Sequence, residues 1–66
     1  MAGRYEFRVT GRLSERARDA FATMEVVDVP AETVIVGAVD DEEVHQVLGL
    51  IQALGLHVVS VQRVTP

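Results

Sequence analysis

Residues 33–64, TVIVGAVDDEEVHQVLGLIQALGLHVVSVQRV, read as a strand, a helix and a second strand, and that reading decides the fold. The first part, Thr33 to Val39, is apolar at both parities, as expected of a central strand covered on both sides. Asp40 is placed to cap a helix, and Glu43 stands three residues on, as in a capping box. Asp41, Glu42 and Glu43 suit the positive end of the helix dipole. Val44, Val47, Leu48, Ile51 and Leu54 recur at helical spacing and predict one buried stripe. Gly55 then accepts the left-handed conformation that ends a helix, with Leu56 folding back over the last turn. The final strand, Leu56 to Val64, is expected to place Val58 and Val64 on one face and Val59 and Val61 on the other.

Upstream, Tyr5 to Val29 repeats the same order. From Arg4 to Thr10, Tyr5, Phe7 and Val9 alternate with Arg4, Glu6, Arg8 and Thr10, the pattern of a half-buried strand whose Tyr5 side meets the helices. Gly11 and Arg12 turn the chain. Ser14 is a candidate N-cap for a short helix with Ala17, Ala20, Phe21 and Met24 on its apolar side. Met24 to Val29 reads as the second strand, and Pro30-Ala31 as the tip of its connection to the third. Two such units predict an α+β two-layer sandwich, β-α-β-β-α-β, over a single domain of residues 1–66. Its four-stranded antiparallel sheet has strand order 4-1-3-2 and two helices on one face.

Composition bounds the chemistry. A chain of 66 residues hides only ~60% of the surface that its unfolded form exposes. With no cysteine and only His45 and His57, disulfides and a structural metal are not expected to add stability, which leaves a partner subunit. A net charge of −4 argues against nucleic acid. No apolar run approaches the ~20 residues that span a bilayer. Met1 to Glu6 leads into a strand without a signal-peptide core, so a cytoplasmic location is expected. All the bases are arginines and five of the six lie in the first unit, whereas Asp40 to Glu43 concentrate acid in the second. That asymmetry suits contact between copies.

The topology resembles the ferredoxin-like superfamily, and within it the small ligand-sensing ACT domains. The resemblance is carried by the acidic helix start at Asp41 and by Leu48-Gly49-Leu50-Ile51-Gln52-Ala53-Leu54-Gly55 followed by Leu56-His57-Val58-Val59-Ser60-Val61-Gln62-Arg63-Val64. It implies small-ligand regulation. Other members of the superfamily fit less well. The chain lacks the cysteine pair of metallochaperones, the paired central-strand aromatics of RNA-recognition motifs and the asparagine of acylphosphatases.

Candidate sites follow from the same elements. Gly11, Arg12 and Ser14 bring backbone N–H groups, a guanidinium and a hydroxyl together before a helix, a weak site for a small anion. Arg4, Glu6 and Arg8, with Ile35, Val58, Ser60 and Gln62, are read as an interface. The two histidines read as surface or interface residues. No catalytic residue, metal site or cofactor is read. The function expected is a non-enzymatic binding or assembly module that pairs with itself. The alternatives are a small dimeric cofactor-free enzyme, or an accessory subunit of a larger enzyme complex.

Overall fold

The computed structural model describes residues 2–29 and 31–64. The elements run β1 (Ala2–Thr10), α1 (Glu15–Ala20), β2 (Glu25–Val29), β3 (Glu32–Asp40), α2 (Asp41–Ala53) and β4 (Val58–Val64). They form an α+β fold whose open antiparallel sheet has the order β2-β3-β1-β4. This is the predicted strand order. The two long strands, β1 and β3, pair along their full length at the centre, from Ala2 opposite Asp40 to Thr10 opposite Glu32.

One sheet face carries the core. Phe7, Val9 and Ile35 are fully buried, and they meet Leu13, Ala17 and Phe21 from the α1 region and Ile51 from α2. Tyr5, Val44, Val47, Leu48, Leu54, Leu56, Val58 and Val61 pack around them. Burial of a side chain such as Phe7 or Ile35 contributes about 1.5–3 kcal/mol, so these residues dominate the stability of so small a chain.

The second helix matches its sequence signals. Glu43 Oε1 accepts from the Asp40 backbone N–H at 3.1 Å, the return bond of a capping box. At the other end Gly55 has φ +76°, and its N–H donates to the Gln52 carbonyl at 2.9 Å while the Leu56 N–H donates to that of Ile51 at 3.1 Å. This pair of bonds is the Schellman arrangement, and Leu56 closes over the last turn.

Three expectations are corrected. The first helix stops at Ala20 rather than reaching Met24, because Phe21, Ala22 and Met24 bond back three residues in successive tight turns. Ala20 is exposed. Met24 instead lies over Gly37, where an added Cβ would come within 2.8 Å of Met24 Cγ. The second correction concerns β4. A register shift opposite Arg8 and Val9 inserts Val59 as an extra residue, so Val58 faces Val9 and Val61 faces Phe7 on the same core side. Val64 faces Arg4 on the opposite side, and Val59 is 50% exposed. Third, strand ends differ by a residue or two, β4 beginning at Val58 rather than Leu56. Pro30 lies outside the described residues. Its neighbour Ala31 has φ +72°, and its carbonyl accepts from the Gly11 N–H at 2.9 Å, tying the β2–β3 turn to the β1–α1 turn.

A left-handed alanine is strained, since its Cβ crowds the following carbonyl. Ala31→Gly is therefore expected to raise the unfolding free energy by roughly 0.5–1 kcal/mol. The check is a urea midpoint that rises with an unchanged slope.

Candidate functional site

The face of the sheet turned away from the helices is formed by alternate residues. Its rows follow from the strand register. Glu25, Val36, Glu6 and Gln62 form one row, and Val27, Val34, Arg8 and Ser60 the next. Ala38, Arg4 and Val64 lie beyond at one end, and Val29, Glu32 and Thr10 at the other. The face is divided lengthwise. Its β2–β3 half is mostly valine and alanine with glutamates at two corners, and its β1–β4 half is mostly charged and polar.

Arginines reach from one half to the other. Arg4 Nη2 lies 3.4 Å from Glu25 Oε2, and Arg8 Nη1 lies 3.1 Å from Glu32 Oε1. Arg8 Nε lies 3.9 Å from Glu6 Oε2. Val34, directly opposite Arg8, is only 5% exposed although no helix covers this side. Its cover comes from side-chain neighbours on its own face, and long arginine stems are suited to lie over apolar surface with their heads in water. Val27 at 45% and Val64 at 36% are left open.

This arrangement divides the predicted interface residues. Arg4, Glu6, Arg8, Ser60 and Gln62 share the open face. Ile35 and Val58 do not, for Ile35 lies opposite Phe7 with no exposure and Val58 lies opposite Val9. A strand shows each neighbour to the opposite side, so Val34 and Val36 occupy the places proposed for Ile35. Val34 and Val36 share the face of Arg8 through the β1–β3 register, and Val27 joins them through the β2–β3 register, neither of which the apolar run Thr33 to Val39 reveals.

Gly11, Arg12 and Ser14 lie in the turn at one end of the sheet, where Arg12 approaches a carboxylate that sequence reasoning passed over. Arg18 Nη2 donates to both oxygens of Asp28 at 2.6 Å, and Arg12 Nη2 lies 3.6 Å from Asp28 Oδ2. Thr33, fully buried, donates its hydroxyl to the Gly11 carbonyl at 2.6 Å, with Asp28 Oδ1 3.5 Å away. Ser14 Oγ accepts from the Ala17 N–H at 3.2 Å as the α1 cap. Arg12, Asp28, Val29 and Ala31 line an open depression of about 260 Å³. The missed signal is that Asp28 shares the inward parity of Val26 in a stretch preceded by five arginines.

At the opposite end the Tyr5 hydroxyl donates to Asp41 Oδ1. That bond to a carboxylate holds the phenol above its ordinary range, helped by loss of water and by the Asp41 charge and opposed by Arg63. His45 and His57 are both exposed, His45 on α2 and His57 beside a shallow groove of about 440 Å³ lined also by Gln52, Gly55, Leu56 and Val58. No cluster of metal-ligating side chains occurs among the described residues. Among the described residues no helix is long and apolar enough to cross a membrane.

Two predictions test these contacts. Asp28→Ala leaves the Arg12 and Arg18 guanidinium groups without their carboxylate, while Thr33 keeps its bond to the Gly11 carbonyl, and is expected to cost about 1 kcal/mol of stability, discounted for partial exposure. Chemical denaturation reads it. Tyr5 is the single tyrosine, so phenolate absorbance follows it alone. As pH rises through the ordinary tyrosine value of ~10, the unfolded chain loses this proton first. Stability therefore falls from there up to the higher folded value. The folded titration midpoint should lie above that of the urea-unfolded chain, and Asp41→Asn should bring the two together.

No curated protein and no solved structure matches the chain. Residues 4–62 match the family described as Domain of unknown function (DUF8691), and the chain belongs to that family.

Proposed function

We propose that this protein is a non-enzymatic binding or assembly module, built as a ferredoxin-like, ACT-like domain, that works as a homodimer in the cytoplasm. The observation that carries this reading is the uncovered sheet face. Val27 and Val64 lie open there, and Val34 and Val36 sit among side chains of the same face with no helix above them.

Size supports pairing. Four strands at ~4.8 Å spacing and about seven residues long span on the order of 450 Å². A contact between two such faces would remove about 900 Å², close to the ~1,000 Å² at which specific interfaces begin. The expected dimer is accordingly a reversible one, with dissociation in the micromolar range. Arg4 and Arg8 stand among Glu6, Glu25 and Glu32, so the face carries both signs of charge and is complementary to a copy of itself. A module of this kind brings two attached or associated chains together.

Sedimentation equilibrium over a range of micromolar concentrations tests the reading. The wild-type chain is expected to move from monomer to dimer. Val27→Glu, which places a charge on the open β2–β3 half, is expected to hold it as a folded monomer throughout. A wild-type chain that stays monomeric over that range rejects the proposal.

A further inference from the structure

Resting on the homodimer just proposed, we infer that the two copies meet face to face about a two-fold axis that crosses β1 at right angles between Glu6 and Arg8, so that each Glu6 faces the second copy's Arg8. The inference comes from the order of charges on the central strand. Glu6 and Arg8 are two residues apart on the same open face, opposite in sign, and flanked across the sheet by Val36 and Val34. A two-fold operation that exchanges their two rows brings opposite charges together twice. It also lays Val36 over the second copy's Val34 and Gln62 over its Ser60.

Other arrangements do less. An axis running along β1 would set Arg8 against Arg8 and Glu6 against Glu6, which like-charge repulsion disfavours. Edge pairing would use either β2, with only five residues, or β4, whose register shift at Val59 interrupts the ladder. Bulges and short edge strands both discourage extension of a sheet. Aligned packing keeps the strands of two sheets within about 30° of each other at a separation of about 10 Å. The rows beside the axis thus stay in contact while the outer rows diverge. Glu6 and Arg8 occupy those inner rows. Arg8 already bonds to Glu32 and approaches Glu6 within its own chain, so its guanidinium can be shared between Glu32 and the facing Glu6.

A charge-exchange experiment tests this. Glu6→Arg gives a chain with two neighbouring arginines, and Arg8→Glu a chain with two neighbouring glutamates. Each alone is expected to dimerise at least about 100-fold more weakly than wild type, because two like-charged pairs face each other. Mixed in equal amounts they are expected to form a one-to-one heterodimer, seen by native mass spectrometry, since every facing pair is then opposite in sign. Glu6→Gln removes one charge without adding a like one and leaves the Arg8–Glu32 pair in place. It is expected to weaken self-association by about tenfold. Amide correlation spectra of each variant confirm folding before mixing. Recovery of the heterodimer from two folded, self-avoiding chains supports face-to-face pairing, and the doubly exchanged chain, Glu6→Arg with Arg8→Glu, then reads the axis: pairing with itself but not with wild type supports the axis inferred, whereas preferential pairing with wild type places the axis along β1 and overturns it. Wild-type dimers together with no recovery on mixing overturn it while sparing the homodimer, which would then use another surface. A monomeric wild-type chain removes both.

Discussion

Two helices of six and thirteen residues, with the short turns that flank them, must do all the covering that this sheet receives from elsewhere in the chain, and that shortage shapes the rest of the structure. They suffice for one side. Phe7, Val9, Ile35 and Ile51 disappear from water there, while the strands behind them still present valines to the other side. Cover on that side comes from within the sheet, through arginines on β1 that pair with glutamates on β2 and β3. The cost of leaving apolar side chains on an open face is thereby reduced without a second helical layer.

The same shortage explains where local chemistry is concentrated. Each end of the sheet is tied by a charged or polar contact between distant parts of the chain. At one end Asp28 gathers Arg12 and Arg18, with the buried Thr33 beside it and bonded to the Gly11 carbonyl. At the other, Tyr5 of β1 holds Asp41 at the start of α2. A larger domain would fasten such points with more apolar contact. In a chain of 66 residues these polar ties join the turns to the sheet and the second helix to the first strand.

Much of this was legible in the sequence because it is set by local rules. The capping pair Asp40 and Glu43, the stop at Gly55 and the alternation through Tyr5, Phe7 and Val9 each act over a few residues and give the elements, from which the handedness of the crossovers predicts the strand order. What escaped reading depends on register between strands. Whether Ile35 or Val34 faces outward is settled by which residue of β1 it pairs with, and apolar residues at both parities hide the answer. The extra residue at Val59 is equally silent, since Val58, Val59 and Val61 are all valines and any phase looks plausible. Asp28 was overlooked because its partners lie ten and more residues away and meet it only after the first unit closes.

The distribution of ion pairs leaves one further mark on the molecule. Arg4, Arg8, Arg12 and Arg18 are matched by Glu6, Glu25, Asp28 and Glu32, and the two sets cancel. The surplus of −4 therefore resides elsewhere, on Glu15, Asp19 and the Asp40 to Glu43 run, offset by Arg16 and Arg63. The molecule is electrically lopsided, with its negative field centred on the helical layer. Long-range repulsion between approaching molecules is then weakest along the direction that turns both helical layers outward, so diffusion itself favours encounters in which the sheets lead.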